Sequence, residues 1–462
     1  CPDPTMPTKP PRLVDRRQLL TGALAASALP GPALAQGVNL LGSRAMPSAT
    51  TQTLALEAAP TLLDIQPNLT TPGLAFNGTA PGPVLRLRKG QPAKFALRNA
   101  LAEPLSVHWH GMRIDNAADG VANLTGAPVT GGGTGELSFT PPDYGTFIYR
   151  PLVPGRTAEL TGSGLSGVAI VEDPGLPAVD VDHVLAISDW SLDAKGQPAP
   201  FTAGPGRLGN IVTVNGVPAP ARLAVAPGAR VRLRLANLSN ARIMRIRFDG
   251  VRAYVVAVDG QPTDTFEPLK ATLPFGPGHR FELVFDMPPE PGSKAIVSAL
   301  VGQGLPLAVI ETAGAATAQT VGRPAIAPLP PNPLLSESIK LQRALRADVH
   351  LQGAGTEWAI NGKKGLPQPG KPLFSVKSGS PVVLAVKNES ALPNVIHIHG
   401  HSFRALHPLD DGWEPYWLDT LIVPEGKTIR CAFTAGSPGL WLIGSTILER
   451  LDGGLSAFFE VK

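Results

Sequence analysis

Two short stretches of this chain concentrate the residue types that could ligate a metal. One is His108-Trp109-His110-Gly111; the other, almost three hundred residues on, is Asn394-Val395-Ile396-His397-Ile398-His399-Gly400-His401. The chain has 9 histidines, and these two segments hold five of them. Each contains His-x-His among apolar residues. On a β-strand, residues i and i+2 project to the same side. His108 and His110 therefore point together, as do His397 and His399. If the two strands face each other, four imidazoles converge. Neutral imidazole is the commonest metal ligand and suits copper and zinc. The alternative is that each pair decorates a solvated strand face. His401 reads as a residue that orders the strand pair through a backbone carbonyl. His183, His279, His350 and His407 stand alone in sequence and read as surface or packing residues.

The elements that position these residues must be strands. Gly and Pro number 50 each, charged residues are only 16%, and no long amphipathic helical pattern occurs. Short apolar runs such as Val84-Leu85-Arg86-Leu87, Val231-Arg232-Leu233-Arg234-Leu235 and Val382-Val383-Leu384-Ala385-Val386 are separated by Pro-Gly and Asn-Gly turns. This is an all-β pattern. Three segments echo one another. Each has an Asn-Gly turn (at Asn77, Asn215 and Asn361), then an alternating strand ending in Asn (at Asn99, Asn237 and Asn388). A repeat of this length predicts three copies of one β-sandwich, over residues 50–173, 180–312 and 346–462. Residues 313–345 are rich in Ala, Thr and Pro and read as an extended linker.

The N-terminus reads differently. Asp15-Arg16-Arg17-Gln18-Leu19-Leu20 sets twin arginines before an apolar stretch from Ala23 to Leu34, and Ala33-Leu34-Ala35 is a small-x-small site. Residues 1–35 are expected to be a twin-arginine export signal, cleaved to leave a periplasmic protein. The apolar stretch is too short and too rich in Pro and Gly for a comfortable membrane span, so the mature chain is expected to lack one. The chain carries a formal charge of +4, and the signal holds four cations against two acids, so about +2 remains. No basic patch of the kind nucleic-acid binding needs is present. Besides Cys1 there is one cysteine, Cys431, which shares a strand face with Ile429 and Phe433 and reads as a core residue.

Beyond residue 50 the chain resembles the three-domain multicopper oxidases, the laccase-like cupredoxin proteins. The motifs that carry the resemblance are Asn77-Gly78-Thr79-Ala80-Pro81-Gly82-Pro83, His108-Trp109-His110-Gly111, Val258-Asp259-Gly260, His397-Ile398-His399-Gly400-His401 and Trp417-Leu418-Asp419-Thr420. The resemblance implies three cupredoxin-like Greek-key β-sandwich domains. It also implies a copper cluster clamped between the first and third, fed with electrons by a type 1 copper in the third. His108 and His397 then fall on the two type 2 ligands, and His110 and His399 on two of the six type 3 ligands. Asp119 matches a carboxylate that bonds water near the type 2 copper. Without the resemblance, Asp119 is an ordinary Asp-Gly turn and Asp419 a residue ending a strand.

The departures limit what the resemblance implies. The family's Tyr-His-x-His is here Tyr149-Arg150-Pro151-Leu152, and its His-Cys-His is Gly444-Ser445-Thr446. Asn394 and Arg450 stand at the two type 1 histidines, and the axial position lies near Leu455. The frame on both sides is intact, Trp441-Leu442 before and Gly454-Leu455 after, so these are substitutions. A type 1 site needs a cysteine thiolate and two histidines. A fixed charge on Arg150 would repel a second copper. The expected protein therefore binds one copper ion, with zinc as the other candidate, through His108, His110, His397 and His399, and lacks laccase activity. Two alternatives stand beside it: a metal-free scaffold or interaction protein of the cell envelope, and an oxidoreductase using one type 2-like copper.

Overall fold

The computed structural model describes residues 51–316, 323–336, 338–366, 370–407 and 412–462. The segment expected to be an export signal, residues 1–35, lies outside the described residues. The chain's regular structure is mostly strand, with two short α-helices, Thr157–Gly162 and Leu448–Asp452, and three single 3-10 turns among the described residues. The strands form three successive pairs of sheets, from residues 52–172, 181–312 and 345–461. In each pair the first strand lies parallel to a later one: Gln52–Gln66 with Ala93–Asn99, Val181–Trp190 with Arg230–Asn237, and Leu345–Ala354 with Pro381–Asn388. A parallel neighbour requires the chain to cross over before returning, which gives each unit the connectivity of a Greek-key sandwich.

The repeated asparagines explain why the three units share this path. Asn77, Asn215 and Asn361 adopt φ of 50°, 52° and 52°, each followed by a positive-φ glycine. Asparagine tolerates this left-handed region better than other side chains. Each also clips its turn to the opening strand. Asn77 donates to Ala55 O and accepts from Glu57 N, Asn215 does the same with Val184 and Ala186, and Asn361 with Asp348 and His350. At the far end, Asn99, Asn237 and Asn388 are fully buried. Their amides donate to loop carbonyls and their Oδ1 atoms accept from the backbone two residues on. A buried amide must be satisfied in this way.

Strand alternation fills the cores. In the first unit Trp109 packs on Phe95, Phe139 and Tyr149, with ring centroids 4.4, 4.9 and 6.0 Å apart. That orientation turns His108 and His110 away from the core, and a second surface buries them to 1% and 0% exposure. Cys431 is wholly buried in the third unit's core, and burial pushes its thiol up to about 12. The described part of the Pro-rich segment is strapped down. Tyr144 donates to Pro330 O, and Asn332 donates to both Asp143 and Gln261. No helix among the described residues is long and apolar enough to cross a membrane.

Candidate metal centre

The strand Val107–His110 is the edge of its sheet, next to Gly145–Pro151, with His108 opposite Arg150 in register. The strand Asn394–Ile398 lies between Thr420–Val423 and Gly439–Ser445. It ends at Ile398, so His399 sits one residue beyond it, in the turn. The two segments meet. His108 stacks on His399 with centroids 4.1 Å apart, and His110 stacks on His397 at 3.8 Å. The glycine closing each histidine pair is required by close approach at positive φ. A side chain at Gly111 would strike the Arg280 guanidinium, and one at Gly400 would strike the Trp441 ring.

Hydrogen bonds set the tautomers. His108 Nδ1 donates to the backbone carbonyl of Asp119 at 2.7 Å, and His397 Nδ1 donates to that of Asp419 at 2.7 Å. A neutral imidazole that donates from one nitrogen keeps a lone pair on the other. In both residues that other nitrogen, Nε2, is buried and has no partner among the described residues. His399 Nδ1 donates to Asp119 Oδ2 at 2.9 Å, which frees its Nε2 in the same sense. His108, His397 and His399 present nitrogens mutually within 4.8 Å.

His110 is held otherwise. Its Nε2 donates to Thr420 Oγ1 at 3.0 Å, Thr420 Oγ1 donates to Asp419 Oδ1 at 2.7 Å, and Arg150 Nη2 approaches His110 Nδ1 at 3.4 Å. It groups with His397 and Asp419 instead. His401 has both nitrogens engaged: Nδ1 donates to His399 O at 2.7 Å and Nε2 accepts from Gly436 N at 2.8 Å. It orders the strand pair, as expected.

Burial sets the charge states. It drives His110 and His397 below the usual histidine range and takes His399 down to about 3. These imidazoles are neutral at pH 7, the form a metal requires. Burial opposes ionisation of Asp119 and Asp419, yet the imidazoles around the first and Arg280 beside the second hold both carboxyls below the usual carboxylate range. Arg150 is 3% exposed, and its Nε and Nη1 have no partner among the described residues. Burial, then repulsion by Arg280, lowers its pKa to about 10, so it stays charged.

The middle unit supplies the props. Arg280 bonds Asp419 through Nη1 at 2.9 Å and Nη2 at 2.5 Å, and donates from Nε to Thr146 O in the first unit. Asp259 accepts from Arg280 N, Asp419 N and Thr420 N. Burial and the neighbouring Asp419 push Asp259 up to about 7. Asp419 is thus far more than a strand-ending residue. His279 is also buried, 3.7 Å from Asp259 Oδ1, and neither of its ring nitrogens has a partner. It lines an 880 Å³ cavity with Phe266, Phe281, Tyr416 and Thr420. Sequence reasoning named Thr420 only as part of a motif and did not find Arg280 or this place for His279. The one signal was Gly276-Pro277-Gly278 followed by charges alternating with Phe281, Leu283 and Phe285.

Where the resemblance places a type 1 copper, the polar groups satisfy one another. Asn394 donates to Asn388 Oδ1 and Ser390 Oγ at 2.9 and 3.0 Å. Arg450 donates to Asn394 Oδ1, Pro393 O and Pro205 O, and lies 4.5 Å over the Trp358 ring. Ser445 Oγ donates to Ile447 O and accepts from Ile447 N.

Comparison with known proteins agrees with this architecture. Three multicopper oxidase family models match residues 60–175, 182–320 and 340–462. Multicopper oxidase MmcO of Mycobacterium tuberculosis is 27% identical, over 86% of this chain and 84% of that protein. The crystal structure of a multi-copper oxidase from Pseudomonas thermotolerans superposes with a TM-score of 0.81 at 30% identity, covering 90% of this chain and all of that one. Lac15 from a marine microbial metagenome is 32% identical, with a TM-score of 0.73, over 88% of this chain and all of its own. The histidine-bearing strands lie in the first and last matched segments, and the chain belongs to the multicopper oxidase family.

Proposed function

We propose that this protein holds one divalent metal ion between its first and third domains and does not carry out the laccase reaction. The observation that carries the reading is the pair of buried, unpartnered Nε2 atoms on His108 and His397. A polar atom buried without a partner costs about 1–3 kcal/mol. Two of them facing one cluster, with tautomers fixed from behind, fit a metal better than they fit a packed interior. His399 supplies the third nitrogen and Asp119 orients it. His110 is the fourth candidate, and joins by giving up its bond to Thr420. Copper(II) is favoured over zinc by the affinity order. Copper would supply a Lewis acid and a one-electron redox centre at this point.

The absence of laccase turnover rests on the self-satisfied group around Asn394, Ser445 and Arg450. No thiolate and no second histidine set is there to receive an electron. Export by the twin-arginine route belongs to the same proposal, with cleavage after Ala35 and a periplasmic mature chain. The metal-free scaffold draws support from His110, whose hydrogen bonds are complete without an ion.

Calorimetric titration of metal-stripped protein separates the readings. One equivalent of copper(II) is expected to bind, with the affinity greatly reduced in the His108→Ala, His397→Ala double variant. Binding weaker than ~10 µM, about 7 kcal/mol, or equal binding in the double variant, would favour the scaffold.

A further inference from the structure

The least satisfied group in the centre is a guanidinium. Arg150 sits in the strand Gly145–Pro151, which is buried at every position. Its one hydrogen-bond partner among the described residues is His110 Nδ1 at 3.4 Å, and its Nε and Nη1 donors have none. Arginine has five N–H donors and cannot shed its charge in a protein at neutral pH. A buried cation with orphan donors is costly, and the usual resolution is an anion.

The charge around the metal positions points the same way. The fixed charges there are two guanidiniums, Arg150 and Arg280, and three carboxylates, Asp119, Asp259 and Asp419. All five residues are 3% exposed or less. Even with every carboxylate ionised, a divalent ion leaves one uncompensated positive charge in a buried space. Arg280 is already committed to Asp419, Gly278 O and Thr146 O. Arg150 is not committed. The cavity lined by Thr420, which bonds His110, carries Lys427 and Arg430 against Glu414, a net positive wall.

We propose that Arg150 is the anchor of a small-monoanion site facing the metal, for an anion of the size of azide, formate or bicarbonate. The inference rests on the one-metal reading above. Arg150 holds the anion through its free N–H groups, and the ion and the anion then raise each other's affinity reciprocally. Arg150 thereby becomes a positioning residue for whatever anion the centre takes.

The test uses the full mature chain, metal-stripped and then loaded with zinc, which keeps redox chemistry out of the measurement. Zinc uptake is measured first by calorimetry, in wild type, Arg150→Met and Arg150→Lys. Sodium azide is then titrated into each loaded protein, and the copper-loaded forms are followed in parallel by spin resonance. Expected is azide binding to wild type, weakened about ten- to a hundredfold in Arg150→Met, the range of a lost hydrogen bond to a charged group. Arg150→Lys, which keeps the charge, should lie between. Zinc uptake with azide affinity unchanged in Arg150→Met overturns the anion site and leaves the metal reading standing. No uptake of zinc or copper by wild type overturns both. If Arg150→Met fails to fold, Arg150→Lys decides: an azide affinity equal to wild type overturns the site.

Discussion

Single nitrogens decide the chemistry of this centre. His108 and His397 make equivalent bonds, each from Nδ1 to an aspartate's backbone carbonyl at 2.7 Å. Because those acceptors are main-chain atoms, changing the Asp119 or Asp419 side chain leaves the two tautomers in place. Asp119→Asn should therefore act through the carboxylate's contacts with His399 at 2.9 Å and His108 at 3.2 Å, and is expected to weaken metal binding about ten- to a hundredfold, as loss of an orienting partner does. Truncation of His108 or His397 should abolish binding at the same metal concentrations, and His110→Ala should cost less, since His110 already bonds elsewhere. His401→Ala should leave the stoichiometry at one. Calorimetry on the five variants orders them, and a His110→Ala loss equal to that of His108→Ala would place His110 among the primary ligands. The copper-loaded protein should also lack the intense thiolate-to-copper absorption at roughly 600 nm that marks blue sites. Cys431, wholly buried in a core with its thiol pushed up to about 12, has no route to supply it.

At the scale of strands, five buried histidines, His110, His279, His397, His399 and His401, all have pKa values lowered by burial. Between about pH 6.5, where unfolded histidine titrates, and the folded values of about 3 to 4 for His279, His399 and His401, the unfolded chain binds more protons. Stability is then present above pH 6.5 and lost as pH falls. Asp259 and Asp452, raised to about 7 and about 6, and Glu449, also raised, act in the opposite direction over part of that window. The histidines outnumber them, so the melting temperature of metal-free protein should fall from pH 7 to pH 4. A flat profile by calorimetry would contradict these charge states. The alternation that made the strands legible also explains what stayed hidden. Val231, Leu233 and Leu235 announced a core face, and Arg232 and Arg234 an opposite face that reads as solvated. Yet Arg234 is 3% exposed, bonded to Asp182 and Glu282 of its own unit and to Thr146 of the first. Period-two patterning separates the two sides of a sheet, but a polar side paired within itself and covered by another domain looks the same as one covered by water. The histidine pairs escaped this ambiguity because their spacing and chemistry, more than their polarity, marked them. Arg280 had no such mark.

Across the whole molecule, metal should act as a clamp. An ion bound by residues of the first and third domains raises stability by mass action, about 2.7 kcal/mol at one hundred times its dissociation constant, and thermal melts with and without copper measure it. Arg280→Met removes one partner of a buried ion pair, a loss of about 3–5 kcal/mol, and is expected to lower both the melting temperature and the metal affinity although Arg280 touches no metal. Export is a further test at this scale. Replacing Arg16 and Arg17 with Lys should retain the precursor in the cytoplasm, and normal yield of processed protein in the periplasm would refute the twin-arginine route. The Arg280 side chain reaches from its own domain to Thr146 in the first and Asp419 in the third. This has a consequence for recombination between relatives. Exchanging the middle domain for one without an arginine at this position would leave all four candidate histidines in place and still separate them. In a chimera, inheritance of the metal site would then follow the domain that contributes none of its ligands.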